Sequence, residues 1–148
     1  MSGFLERLAG TWHATETLHP SPWEPVGGPA EATLVARLAL GGKALVQEYR
    51  REGRAAYQGL GVMLRDAQQV QLWWFDALEP PGPAKGGVQG DRLVLERGSA
   101  MGRARYTYVL VRDGEFTFRI EHSRDGKDWA SFLDARYVRR IPPPAAPL

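Results

Sequence analysis

The chain of 148 residues contains no cysteine, which removes disulfides, thiolate metal sites and cysteine nucleophiles from consideration. Histidine is nearly as scarce, with His13, His19 and His122 the complete set. No apolar run approaches the roughly 18 residues a membrane-spanning helix needs, and Met1 to Ala9 lacks a basic stretch leading into an apolar one. A soluble, cytoplasmic protein with no membrane partner is the expectation. Charge of one sign is also lacking, since 19 Lys and Arg face 17 Asp and Glu. The basic residues are nearly all arginine and run from Arg7 to Arg140, with Arg50, Arg51 and Arg54 broken up by Glu48 and Glu52. Proteins that track a phosphate backbone concentrate such charge, so no nucleic-acid partner is expected.

What is present is the composition of one ordinary globular domain: 43% hydrophobic and 24% charged residues in a chain long enough to bury a core. A domain over residues 1–141 is expected, followed by a loose tail over 142–148 whose prolines cannot join a ladder. Glycine and proline divide the chain into short β segments. Only Ser2 to Leu8 reads as a helix, with Ser2 as its cap and Gly10 as its stop. Ten strands are predicted over Thr11 to Leu18, Glu31 to Leu40, Lys43 to Arg51, Ala55 to Leu64 and Gln69 to Asp76, then Ala84 to Val88, Arg92 to Arg97, Arg103 to Val111, Glu115 to Ser123 and Trp129 to Arg139. Gly41-Gly42 fits a two-residue hairpin turn, and Asp113-Gly114 and Asp125-Gly126 carry the same signal. Consecutive strands this close pair antiparallel, and a meander of ten closes on itself. The predicted fold is all-β: one up-and-down antiparallel barrel of about ten strands, its closed end capped by the short N-terminal helix.

Alternation assigns the interior. In the last strand Trp129, Ser131, Leu133, Ala135, Tyr137 and Arg139 form the better inner face, leaving Phe132 outside. Phe116, Phe118, Ile120 and His122 point inward, as do Ala104, Tyr106, Tyr108 and Leu110, and Leu34, Ala36, Leu38 and Leu40. Trp73 and Trp74 are neighbours, so only one can do so. Connections alternate between the two ends of a meander. Gly41-Gly42, Arg65 to Gln68, Gly90-Asp91 and Asp113-Gly114 share the end where strand one begins, and are short. Those at the opposite end, such as His19 to Ala30 and Ala77 to Pro83, are longer, which describes a cup. Trp12 opens the first strand and Arg139 closes the last, so both belong to the floor, where a guanidinium over an indole would serve as a plug. The mouth gathers His122, Trp129 and one of Trp73 and Trp74, with Trp23 in the long loop placed to fold over the opening.

Several motifs taken in order carry a resemblance: Gly10-Thr11-Trp12; Leu40-Gly41-Gly42 followed by Leu45-Val46-Gln47-Glu48-Tyr49; Trp73-Trp74-Phe75-Asp76; and Asp125-Gly126-Lys127-Asp128-Trp129 with Tyr137-Val138-Arg139. Over roughly residues 5 to 140 the chain resembles a bacterial family of unknown function, DUF1579, grouped with the calycins beside lipocalins, fatty-acid-binding proteins and nitrobindins. The resemblance implies a calycin-like barrel and no established substrate. Two departures stand out. The loop His19 to Ala30 is too short for the helical lid of fatty-acid-binding proteins, and His122 precedes the last hairpin rather than matching the haem-binding histidine of nitrobindins.

The leading expectation is a non-enzymatic binder of a small hydrophobic or aromatic molecule, contacted by Trp73, Trp74, Tyr106, Tyr108, Phe118, His122, Trp129 and Tyr137. No cofactor is required by it. The alternatives are a haem protein or barrel enzyme using His122 as axial ligand or acid and base, with Glu48, Asp76 or Asp134 as its carboxylate partner, and a filled barrel acting as a homodimer or interaction module. Other chemistries find no footing. The serines sit in no nucleophile elbow, Gly86-Gly87 is followed by no helix start, and His13 falls at the opposite end from the other two histidines, which argues against a three-histidine metal site.

Overall fold

The computed structural model describes residues 3–21, 25–53, 55–78, 82–100 and 102–140. Ser2 as a helix cap, Trp23 as a lid and the tail 142–148 lie outside the described residues. The chain opens with a one-turn helix α1 (Phe4–Leu8) and continues as ten antiparallel strands: β1 (Gly10–Leu18), β2 (Gly28–Ala39), β3 (Ala44–Arg51), β4 (Tyr57–Asp66), β5 (Gln69–Phe75), β6 (Ala84–Gln89), β7 (Arg92–Ser99), β8 (Gly102–Arg112), β9 (Glu115–Ser123) and β10 (Ala130–Arg139). Each strand pairs with its neighbours in sequence, and β1 closes the ring against β10 from Trp12 opposite Arg139 to Leu18 opposite Leu133. Closure leaves no edge strand among the described residues, the condition a ten-strand sheet must meet to avoid templating other strands.

Period-two alternation holds along most strands. On β1, Trp12, Ala14, Glu16 and Leu18 are buried, and on β3 so are Leu45, Gln47 and Tyr49. One departure affects the interior directly. A register shift between Ser131 and Leu133 interrupts the β9–β10 ladder, and Phe132, expected outside, lines the interior instead. The Gly41-Gly42 connection also differs from the two-residue turn expected of it. Ala39 pairs with Ala44, so four residues make the turn, three of them at positive φ: Leu40 at 53°, Gly41 at 66° and Gly42 at 92°.

The floor is built around Trp12. Leu5 and Leu8 of α1 are buried there, and the Trp12 indole N–H donates to the Leu8 carbonyl at 2.9 Å. The Arg139 guanidinium lies over the same indole, 4.7 Å from the ring centroid, and its Nη2 donates to the carbonyls of Ala9 and Arg7. Gly10 explains the glycine two residues before the tryptophan. Its φ is 147°, and a Cβ there would sit 3.1 Å from Arg139 Nε and 3.4 Å from Trp12 Nε1. A side chain at position 10 would therefore press into the plug it introduces. The Glu6 carboxylate, held below the usual range by hydrogen bonds from Arg65, pins the helix to β4.

At the other end the wall is thinner between β5 and β6. Only Gln69 to Leu72 find partners, in Ala84 to Gly87, whereas β5 runs on to Phe75.

Candidate functional site

The barrel encloses a cavity of about 540 Å³, a size typical of small-molecule sites. Its wall reaches from Leu34, Phe116 and Tyr137, above the floor plug, to Arg51, Asp76, Leu78 and Arg97 near the long-loop end. The chain has five tyrosines, and all five line this space: Tyr49, Tyr57, Tyr106, Tyr108 and Tyr137. An inner face that merely filled a barrel would be aliphatic. This one carries hydroxyls through its depth.

An aromatic column climbs β9 and its neighbours. Trp12 meets Phe116 edge-on at 4.7 Å, and Phe116 stacks on Tyr137 with ring centroids 4.6 Å apart and planes 5° from parallel. Tyr108 then contacts Phe118 at 4.6 Å, and Phe118 stacks on Tyr106 at 6.4 Å. Such pairs contribute roughly 0.5–1.5 kcal/mol each beyond their area, so the column is a rigid wall. Burial pushes the hydroxyls of Tyr49, Tyr106, Tyr108 and Tyr137 above the ordinary tyrosine value, and for Tyr49 the Glu16 carboxylate adds to it. All remain neutral phenols at physiological pH.

On the opposite wall two carboxylates are fixed by donors. Glu16 has a wholly buried side chain, and its oxygens accept from the Tyr49 hydroxyl and from Arg51 Nε at 2.8 Å. Arg51 is tied further by Nη1 to the Ala55 carbonyl at 3.1 Å, and its guanidinium faces the rings of Tyr49 and Tyr57. A second chain runs from Trp74 Nε1 to the Tyr57 hydroxyl at 2.5 Å and from that hydroxyl to Asp76 Oδ2 at 2.6 Å. The other Asp76 oxygen accepts the Leu78 N–H at 2.8 Å. Burial first, then the Asp76 carboxylate, pushes the Tyr57 hydroxyl up to about 12.

Two glycines of β4 make room for Trp74. A Cβ on Gly59 would lie 2.2 Å from the indole and one on Gly61 2.8 Å from it. The indole thus lies against bare backbone, its N–H turned to Tyr57, and the choice that sequence left between neighbouring tryptophans falls to Trp74 because only its side has this recess.

The cavity brings together Trp74, Tyr106, Tyr108, Phe118 and Tyr137 from the expected set. It does not include three others. Trp73, one residue along β5, does not line it. Trp129 precedes the β10 bulge, and its ring lies under the Arg105 guanidinium at 3.8 Å, on the outer face where Arg105 meets Glu96. His122, at the end of β9 opposite Ala104 and Ala130, is half-buried and is not among the lining residues. The carboxylates considered as its partners are engaged elsewhere or exposed. Asp134 accepts from His19 Nε2 at 2.7 Å and Arg119 Nε at 2.6 Å, Asp76 takes the Tyr57 hydroxyl, and Glu48 is exposed. His13 faces Glu31 at the surface. The floor pair, Trp12 and Arg139, packs below the cavity. Sequence reasoning missed Glu16, Gln47, Arg51, Tyr57 and Arg97, although Glu16 shares its alternation with Trp12 and Ala14, and Gln47 and Arg51 share theirs with Leu45 and Tyr49.

No family model and no curated protein matches the chain. Solved structures do. Rv2717c from M. tuberculosis superposes with a TM-score of 0.70 at 16% identity, covering 92% of this chain and 94% of that one. The S-type phycobiliprotein lyase CPES from Guillardia theta gives a TM-score of 0.67 at 12% identity, with coverages of 94% and 92%. At these identities the likeness is one of fold alone. Among the described residues no helix is long and apolar enough to cross a membrane.

Proposed function

We propose that the protein is a non-enzymatic carrier of a small, largely aromatic or hydrophobic molecule held inside the barrel. One observation carries the reading: a cavity of about 540 Å³ walled by aromatic rings, with all five tyrosines gathered on it. A cavity of this size costs stability unless something occupies it, since the cost grows with its volume. That one structural neighbour is a phycobiliprotein lyase supports the reading. Membership of DUF1579 belongs to the same proposal and rests on the ordered motifs.

Haem is not the ligand this reading favours. The haem alternative gave the axial position to His122, and no histidine is among the lining residues. Nor do the lining residues form a nucleophile beside a base, since Glu16 and Asp76 are both committed to donors.

Titration with the neutral dye N-phenyl-1-naphthylamine, followed by its fluorescence, tests the proposal. Saturable binding at one site, reduced about tenfold or more by Ile120→Trp with the fold intact by circular dichroism, is the expected outcome. Binding indifferent to bulk placed in the cavity would refute it.

A further inference from the structure

Both carboxylates of the cavity wall are held by donors: Glu16 accepts from Tyr49 and Arg51, and Asp76 from Tyr57 and the Leu78 backbone. Two nitrogen donor groups of the wall are not held in this way. Gln47 is 4% exposed, its amide faces the Tyr108 hydroxyl, and its buried Nε2 has no hydrogen-bond partner of good geometry. Arg97, two residues from the end of β7, lines the cavity near its mouth, and its described neighbour is the Tyr106 ring, 5.8 Å from the guanidinium carbon. No carboxylate of a described residue lies within ion-pair distance of it. The other arginine of the wall, Arg51, is neutralised by Glu16.

Resting on the carrier reading, we infer that the ligand is an organic acid: a flat apolar body along Phe118 and Tyr106, an acidic group at the rim held by Arg97, and an oxygen acceptor at depth that takes the Gln47 amide. A guanidinium with no ion-pair partner among the described residues, on a partly desolvated wall, favours an anion, because a charge-assisted hydrogen bond there breaks no ion pair of those residues. A buried amide donor without a partner likewise favours a ligand oxygen, since leaving it unmatched costs free energy that a carbonyl or ether would recover. Asp76 lines the same end of the cavity with its charge intact, so the acidic group belongs on the Arg97 side of the opening, away from it.

The test compares two dyes that share a ring system and differ by one sulfonate, the anionic 1-anilinonaphthalene-8-sulfonate and the neutral N-phenyl-1-naphthylamine. Arg97→Gln should weaken the anionic dye about tenfold, the loss of one charge-assisted bond, and change the neutral dye less than about twofold. Arg97→Lys should restore most of the loss, which a merely structural role for Arg97 would not produce. Gln47→Leu, which removes the deep donor, should leave the preference of the rim for the anion in place. Equal loss of both dyes in Arg97→Gln, or loss of neither, would overturn the inference while leaving the carrier reading standing. Failure of the neutral dye to bind wild-type protein would overturn both.

Discussion

Replacing Arg51 with methionine removes the cation from a carboxylate that has no access to water. The Glu16 side chain is wholly buried and that of Arg51 is 11% exposed, so neither charge is hydrated enough to be indifferent to the other. Deleting one member of such a pair costs about 3–5 kcal/mol, chiefly because the remaining charge stays buried without compensation. Against a total stability of about 5–15 kcal/mol this is a large fraction. The Glu16→Leu, Arg51→Met double variant should be more stable than Arg51→Met alone. It strands no charge, and its main deficit is the Tyr49 hydroxyl left without an acceptor, about 1–3 kcal/mol. Urea unfolding of the two single variants and the double variant completes the cycle, with an expected coupling of about 2 kcal/mol or more. An Arg51→Met protein within about 1 kcal/mol of wild type at pH 7.5, or strictly additive costs, would refute the claim that this pair is buried and coupled.

The floor plug predicts that Trp12→Ala lowers unfolding free energy by about 3–5 kcal/mol while leaving dye affinity within a few-fold; an unchanged thermal midpoint would contradict it. Gly10→Ala should destabilise by about 1–3 kcal/mol, because a side chain there must hold φ at 147° against Arg139, and the denaturation midpoint measures it. All five tyrosines have pKa values raised by burial, so the stability they contribute is fully present below their unfolded value near 10 and is lost as pH rises through the folded values. Absorbance at 295 nm should accordingly show little phenolate in the native protein at pH 10.5, then rise with unfolding at higher pH; free titration of even one or two tyrosines near pH 10 would place them in solvent.

Strand number, closure and the sorting of loops between the ends were legible in the sequence because each depends on local signals, the glycine turns and the period-two pattern. The same alternation placed Tyr106, Tyr108, Phe118 and Tyr137 on the inner wall. It failed at β10, where an extra residue in one strand leaves the flanking residues readable and turns Phe132 inward, and beyond that bulge Trp129 stacks outside on Arg105. The choice of Trp74 over Trp73 was not legible, because the recess that receives it is made by Gly59 and Gly61 on another strand. Nor was the Glu16 to Arg51 pair, which joins β1 to β3 across β2. Its members do occupy inward positions, and a buried charge at such a position signals that a partner must exist without saying where. The turn at Gly41-Gly42 looked like a tight hairpin, and the positive φ of Leu40 lengthened it.

The central claim is that this barrel holds its ligand inside. A crystal structure of the protein saturated with N-phenyl-1-naphthylamine tests it most directly. The account predicts the dye within the barrel, against Phe118 and Tyr108, with Trp74 beside it and the Trp12 and Arg139 plug undisturbed below. Dye confined to the outer face, with the cavity collapsed or filled by its own side chains, would contradict it.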